Sequence, residues 1–149
     1  MITQAEADRL VKRLREGSET GAAFRAYAMA LLDELPGYNW SGVYRLEDDT
    51  LVLDAYVGTA TDHTRIPVGR GVCGTAVAEN RNQVVVDIRD LTNYLACSTQ
   101  TRSEIVVLVR REAEILGQID VDGHTVGAFD GTDEMLLERF ASEMATRWS

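Results

Sequence analysis

The chain has 149 residues and a formal net charge of −9, with 45% hydrophobic and 26% charged residues. These values are typical of a single globular domain, and the acidic balance argues against nucleic acid and anionic membranes as partners. No apolar run approaches the roughly 20 residues that span a bilayer. Because the N-terminus also has no basic start and no apolar segment of a secretory signal, we expect a cytoplasmic protein.

Residues 1–36 have the pattern of two helices. Thr3 and Glu6 form a capping box, and the first helix is expected to run to Gly17. We expect Ser18 to cap the second helix, in which apolar residues recur at steps of three and four. A proline–glycine pair ends it.

Residues 37–129 have a pattern typical of a sheet, and residues 130–149 of a C-terminal helix that Thr132 caps. A run of small residues around Cys73 predicts a short helix, and Asp87 is placed to cap a further helical turn. The sequence therefore predicts an α+β fold in one domain, 1–149. Its central antiparallel sheet has about six strands, and the N- and C-terminal helices pack mainly on one face. The predicted strands are 40–46, 51–57, 65–67, 84–86, 105–110 and 115–122.

Three carboxylates gather at the last two strands. A register that buries Ile105 and Ile115 on one face pairs 105 with 119 and 107 with 117. It sets Glu104 opposite Asp120, about 5 Å apart at Cβ, with Asp122 diagonal to it. Like charges this close are destabilising. Either water separates them at a frayed sheet end, or they bind something cationic or hold a proton.

The protein has two cysteines, Cys73 and Cys97, and both lie in the stretch 65–104. In a reducing compartment two cysteines are not expected to form a structural disulfide. Neither His63 nor His124 stands at zinc-finger spacing, so we expect no metal site. The pair is either redox-active or two buried apolar thiols, and counting alone leaves both interpretations open.

Several motifs of the chain match one known family. They are RIPVGRGVCGTA at 65–76, AC at 96–97, SEIVV at 103–107 and DVD at 120–122. Together they resemble a GAF domain of the free methionine-(R)-sulfoxide reductase type. This resemblance implies that Cys97 is the attacking thiolate and that the substrate is free methionine sulfoxide. It also implies that Glu104, Asp120 and Asp122 bind the ligand and that one of them passes a proton to the sulfoxide oxygen.

The resemblance implies further roles. Trp40 and Tyr44 match residues that wall the pocket, and Asp87 is a weaker candidate for holding the amino group. Cys97, Cys73, Glu104 and Asp122 are thus the candidate catalytic residues, and Trp40, Tyr44, Asp87, Glu104, Asp120 and Asp122 the candidate substrate-binding residues. A thioredoxin-like dithiol is the expected reductant, no metal or organic cofactor is needed, and a homodimer through the N-terminal helices is expected.

One departure from the family pattern concerns the resolving thiol. The family usually has a third cysteine ten residues before the GVCG cysteine, and His63 occupies that position here. We therefore expect Cys73 to resolve the sulfenic acid. Otherwise the external donor attacks it directly, or activity is lost. A non-catalytic GAF domain that senses a small molecule or thiol oxidation is the alternative function.

Overall fold

The computed structural model describes residues 2–92 and 99–149, and these form an α+β fold. The described strands make one six-stranded sheet in the order β3-β2-β1-β6-β5-β4, with each neighbouring pair antiparallel. This confirms the predicted fold class. None of the described helices is long and apolar enough to cross a membrane. In chain order the elements are α1 (Gln4–Glu16), α2 (Gly21–Leu32), β1 (Trp40–Glu47), β2 (Thr50–Val57), β3 (Arg65–Pro67), α3 (Gly71–Glu79), β4 (Gln83–Val85), a 3₁₀ turn (Ile88–Asp90), β5 (Ser103–Arg111), β6 (Glu114–Gly123) and α4 (Gly131–Thr146).

The two faces of the sheet bury different residues. Helices α1, α2 and α4 cover one face, where aliphatic residues such as Val43, Ile105 and Ile119 are fully buried. Helix α3 covers the other face, which holds a smaller cluster around Trp40 and Tyr44. Because successive strand residues point to opposite faces, each central strand contributes to both layers.

The helix starts differ from the prediction at two places. The capping box of Thr3 and Glu6 on α1 is confirmed. Helix α2 begins at Gly21 rather than after Ser18, because Gly21 has a φ of 58° and its N–H donates to a carbonyl near the C-terminus. This left-handed backbone suits glycine, so docking on the C-terminal segment sets the start of the helix.

The cap of α4 is Asp130, and the prediction of Thr132 was wrong. The Asp130 carboxylate accepts from the backbone N–H of Thr132 at 3.0 Å and of Asp133 at 3.3 Å. The Asp133 carboxylate accepts from the N–H of Asp130 at 2.8 Å, which completes a capping box. An aspartate two residues upstream therefore satisfies the orphan donors that Thr132 was expected to satisfy.

The predicted register of β5 and β6 was wrong by two residues. The structure pairs Ile105 with Val121 and Val107 with Ile119. The predicted register would have left a single residue in the hairpin turn, whereas the turn has two, residues 112–113, and a bulge follows it between 109 and 110. The bulge also turns Ile115 to the α3 face, where it packs on the smaller cluster.

Candidate active site

The α3 face of the sheet buries a thiol together with carboxyl groups. One ligand atom from each of Cys73, Glu104 and Asp120 lies within 4.8 Å of the others. The Cys73 Sγ is 3.9 Å from Glu104 Oε2. These three residues are 5%, 2% and 1% exposed, so their polar atoms are removed from bulk water. Burial keeps bulk water away from these groups, which argues against a frayed sheet end.

The register explains how the three predicted carboxylates meet. Glu104 pairs directly with Asp122, and Asp120 pairs with Val106, diagonal to Glu104. The gathering of acids is therefore present, although Asp120 and Asp122 exchange the places that the sequence predicted. Asp122 is also buried, at 1% exposure.

Within this cluster, the carboxyl of Asp120 has an unusual electrostatic environment. Burial raises the pKa of its carboxyl, and polar contacts with Glu104 and Cys73 offset that only in part. Within residues 2–92 and 99–149, Asp120 has no ion pair and its Oδ1 has no hydrogen-bond partner. A carboxyl in this environment is stabilised in its protonated form, which can donate a proton at neutral pH.

The two aromatic residues predicted to wall the pocket lie on the same face. Trp40 is 2% exposed, and its Nε1 donates to the carbonyl oxygen of Thr59 at 2.9 Å. The Tyr44 hydroxyl donates to the carbonyl oxygen of His63 at 2.9 Å. Both aromatic rings are thus tied to the loop between β2 and β3. His63, which stands at the position of the missing cysteine, lies in this loop.

A glycine gives the Trp40 ring its place beside the acids. Gly42 pairs with Asp120 across β1 and β6. A Cβ built on Gly42 would lie 2.3 Å from the Trp40 ring, so the ring lies across the space that a side chain would fill. Only glycine permits this close approach.

Asp87 is held by its own neighbour. Its carboxylate accepts from the backbone N–H of Arg89 at 3.0 Å, which confirms the predicted helical-turn cap. It also forms an ion pair with the Arg89 guanidinium at 2.7 Å, and these bonds lower the pKa of Asp87 to about 2. The structure therefore places Asp87 with Arg89 and not in the group around Cys73.

Cys97, the predicted attacking thiolate, lies outside the described residues. A cavity of about 210 Å³ lies among the described residues, between α3, β4 and residues 90–92. Val85 lines this cavity and pairs with Glu104 across β4 and β5, so the cavity adjoins the strand that carries Glu104. The other lining residues come from α3, β4 and the segment after the 3₁₀ turn: Gly71, Val72, Thr75, Gln83, Asp90, Leu91 and Thr92.

Sequence reasoning missed one buried polar residue on this face, Gln118. It is fully buried, and its Nε2 donates to the carbonyl oxygen of Cys73 at 2.9 Å. Gln118 has the same strand parity as Asp120 and Asp122. That parity was the available signal, because three alternate polar residues on a buried strand mark a polar face.

Comparison with known proteins identifies the general class to which this protein belongs. The family model described as a GAF domain matches residues 22–147. Free methionine-R-sulfoxide reductase of Escherichia coli is 40% identical over 141 residues, which cover 94% of this chain and 85% of that protein.

Solved structures agree with the sequence relatives. The Neisseria meningitidis free methionine-R-sulfoxide reductase in complex with its substrate superposes with a TM-score of 0.87, at 31% identity, over 99% of this chain and 92% of that one. The type II enzyme of Thermoplasma acidophilum has a TM-score of 0.78 and 38% identity, over 92% and 93% of the two chains. The chain belongs to the free methionine-R-sulfoxide reductase family of GAF domains.

Proposed function

We propose that this protein is a thiol-dependent oxidoreductase that reduces free methionine-(R)-sulfoxide to methionine. The observation that carries the proposal is the buried group of Cys73, Glu104 and Asp120, in a chain of this family. A thiol that shares a buried site with carboxyl groups has both components of sulfoxide reduction, a sulfur that can be oxidised and a proton source.

The acidic residues bind the substrate through its positive charge. A free amino acid carries an ammonium group, which a residue inside a peptide lacks. Glu104, Asp120 and Asp122 lie on one buried face, where a cation neutralises their mutual repulsion and is itself poorly screened. This selects the free amino acid over a protein-bound one. Trp40 and Tyr44 wall the pocket for the S-methyl end, and Asp87 contributes at the amino group once the substrate ammonium replaces the Arg89 guanidinium on its carboxylate.

The chemical step begins at Cys97. Its thiolate attacks the sulfoxide sulfur, while a carboxyl of the acidic group protonates the sulfoxide oxygen. The S–O bond of the substrate breaks, methionine leaves, and the oxygen remains on Cys97 as a sulfenic acid. Asp120 holds the proton for this step, because burial raises the pKa of its carboxyl. Glu104 and Asp122 keep that proton in the site.

Cys73 resolves the sulfenic acid. Its sulfur forms an S–S bond with Cys97 as the S–O bond breaks, and the hydroxyl leaves as water with the thiol proton. Glu104, 3.9 Å from Sγ, receives that proton first. A thioredoxin-like dithiol then reduces the disulfide through a mixed disulfide. His63 cannot replace the missing cysteine as the resolving residue, since a histidine forms no disulfide.

The whole chain, 1–149, acts as one domain in the cytoplasm, where a dithiol donor is available. It forms a homodimer through its N-terminal helices, and it uses no metal or organic cofactor.

The test is stereospecific turnover. The protein is incubated with dithiothreitol and either the R or the S epimer of free methionine sulfoxide, and methionine release is measured. We expect release from the R epimer only, and none from Cys97→Ser. Binding of the R epimer without turnover would reject the enzymatic proposal in favour of a sensor, and turnover by Cys97→Ser would reject the assigned nucleophile.

A further inference from the structure

Gln118 is a polar residue at a position where an apolar one would fit. On the α3 face of the sheet its neighbours in register are Tyr44 on β1 and Leu108 on β5. It is fully buried, and it precedes Asp120 by two residues on the same face of β6. Gln118 and Asp120 are therefore carried on one strand, close to the group that contains Cys73.

The side chain of Gln118 ties this strand to α3. Its Nε2 donates to the Cys73 carbonyl oxygen at 2.9 Å, and Cys73 lies in the first turn of the helix. A carbonyl oxygen has two lone pairs, so it can accept this bond in addition to a bond from the helix itself. The tether acts on the residue whose thiol faces the acids.

The Gln118 bond restrains the end of α3 that carries Cys73. At its other end the helix is bonded to β5, because the Arg110 guanidinium donates to the Asn80 carbonyl oxygen at 2.9 Å. The buried side chains of the helix are small, namely Val72, Cys73 and Ala76. On its far side the preceding turn holds it, through the N–H of Gly69 donating to the carbonyl of Gly74 at 2.8 Å. Apolar contacts are non-directional, whereas a hydrogen bond fixes distance and angle. The Gln118 bond therefore sets how α3 places the Cys73 thiol relative to Asp120.

A glutamine at position 118 also destabilises the fold. In the part of the chain that the structure describes, Gln118 Oε1 is buried without a hydrogen-bond partner. A buried polar atom left unsatisfied destabilises the fold, and an apolar residue of the same size would avoid that. A positioning role accounts for an amide at this point of the core.

We infer that Gln118 is a positioning residue for the Cys73 thiol in the resolving step. The inference rests on the proposed function, in which Cys73 condenses with the sulfenic acid of Cys97. In that step the S–S bond forms, the S–O bond of the sulfenic acid breaks, and one water leaves. The preceding release of methionine depends on Cys97 and the acidic group, so it does not need the tether.

The experiment separates methionine release from disulfide formation with the variant Gln118→Met. Methionine has about the same length as glutamine and has no hydrogen-bond donor. Protein is mixed with free methionine-(R)-sulfoxide and no reductant, and methionine release and thiol loss are followed together. We expect release within about twofold of the wild-type rate and loss of the second thiol slowed about fivefold or more, as removal of one neutral hydrogen bond implies. Sulfenic acid that dimedone traps should accumulate in the variant.

Controls distinguish the possible failures. Gln4→Met, the same change at an exposed position, should behave as wild type. If Gln118→Met loses its second thiol at the wild-type rate, or if both steps slow equally, the inference is wrong although the proposed function stands. If the wild type loses only one thiol per methionine released, Cys73 is not the resolver and the inference fails with that role, while the reductase activity stands. Should Gln118→Met not fold, Gln118→Asn, whose amide is one methylene too short, gives the same readouts.

Discussion

Replacing Asp120 with asparagine should make the protein more stable and less active. Asparagine has the shape of a protonated aspartic acid and carries no charge to desolvate. Asp120 is 1% exposed, has one oxygen without a partner among the described residues, and burial raises its pKa. Polar groups buried without full compensation cost about 1–3 kcal/mol in mutational data. We therefore expect Asp120→Asn to raise the free energy of unfolding by about that amount at pH 8.

The pH dependence has a definite sign. The folded pKa of Asp120 lies above the unfolded value of about 3.9, so between these values the folded state binds the extra proton. The stabilisation that comes from binding this extra proton is complete below about pH 3.9 and is lost as the pH rises toward the folded pKa. The advantage of Asp120→Asn should accordingly be small at pH 4 and grow by up to about 1.4 kcal/mol per pH unit through that window.

The assay is urea unfolding of wild type and variant between pH 4 and pH 8, followed by circular dichroism. Asp133→Asn is the matched control, because Asp133 is equally buried and both its oxygens accept, from the Tyr38 hydroxyl at 2.7 Å and the Asp130 N–H at 2.8 Å. An amide nitrogen would face one of these donors, so this control should destabilise the protein. A destabilised Asp120→Asn, or a difference that does not change with pH, would refute the reasoning.

Four further results follow from the site and the fold. In the same Asp120→Asn protein, methionine release should fall about 100-fold, as loss of a general acid implies; undiminished release would assign the proton to another group. Cys73→Ser should keep its activity with dithiothreitol within about threefold and lose it with thioredoxin, and equal activity with both donors would remove its resolving role. Asp130→Ala should lower the free energy of unfolding by about 1 kcal/mol in thermal melts, while Thr132→Ala changes it little; the reverse order would restore Thr132 as the cap. Trp40→Phe removes the bond to the Thr59 carbonyl, so it should cost about 1 kcal/mol of stability and raise the KM for the sulfoxide; an unchanged KM would exclude Trp40 from the pocket wall.

The sequence predicted the elements of the fold better than their ends. Alternating apolar residues identified the strands, because a period of two can be read from a few neighbouring residues. The start of α2 depends on Gly21 docking against the C-terminal segment, which is a contact distant in sequence. The cap of α4 required a choice between two adequate capping residues, Asp130 and Thr132, and propensity alone does not make that choice.

The sequence identified three residues of the buried group on the α3 face, but not the contacts around them. The family motifs pointed to Cys73, Glu104 and Asp120, and the structure brings these three together. The resemblance gave Asp87 as a weaker candidate for holding the amino group, and in the structure its carboxylate pairs with Arg89 two residues away. The Gln118 tether joins β6 to α3, and no local pattern identifies the partner of a buried amide.

The incorrect prediction of the β5–β6 register shows which strand pairings the acidic residues exclude and which they allow. On β6, Asp120 and Asp122 alternate with Ile119 and Val121, so a slip of one residue would put carboxylates into the aliphatic layer under α1, α2 and α4. The cost of burying unpaired charge excludes that slip. A slip of two keeps every side chain on its own face, and hydrophobicity cannot exclude it. The two-residue turn and the bulge at 109–110 decide between these registers, and they place Asp122, rather than Asp120, directly opposite Glu104. That choice leaves Asp120 beside Val106 and Gly42, without a charged partner in register, and so it creates the buried acid on which the proposed proton transfer depends.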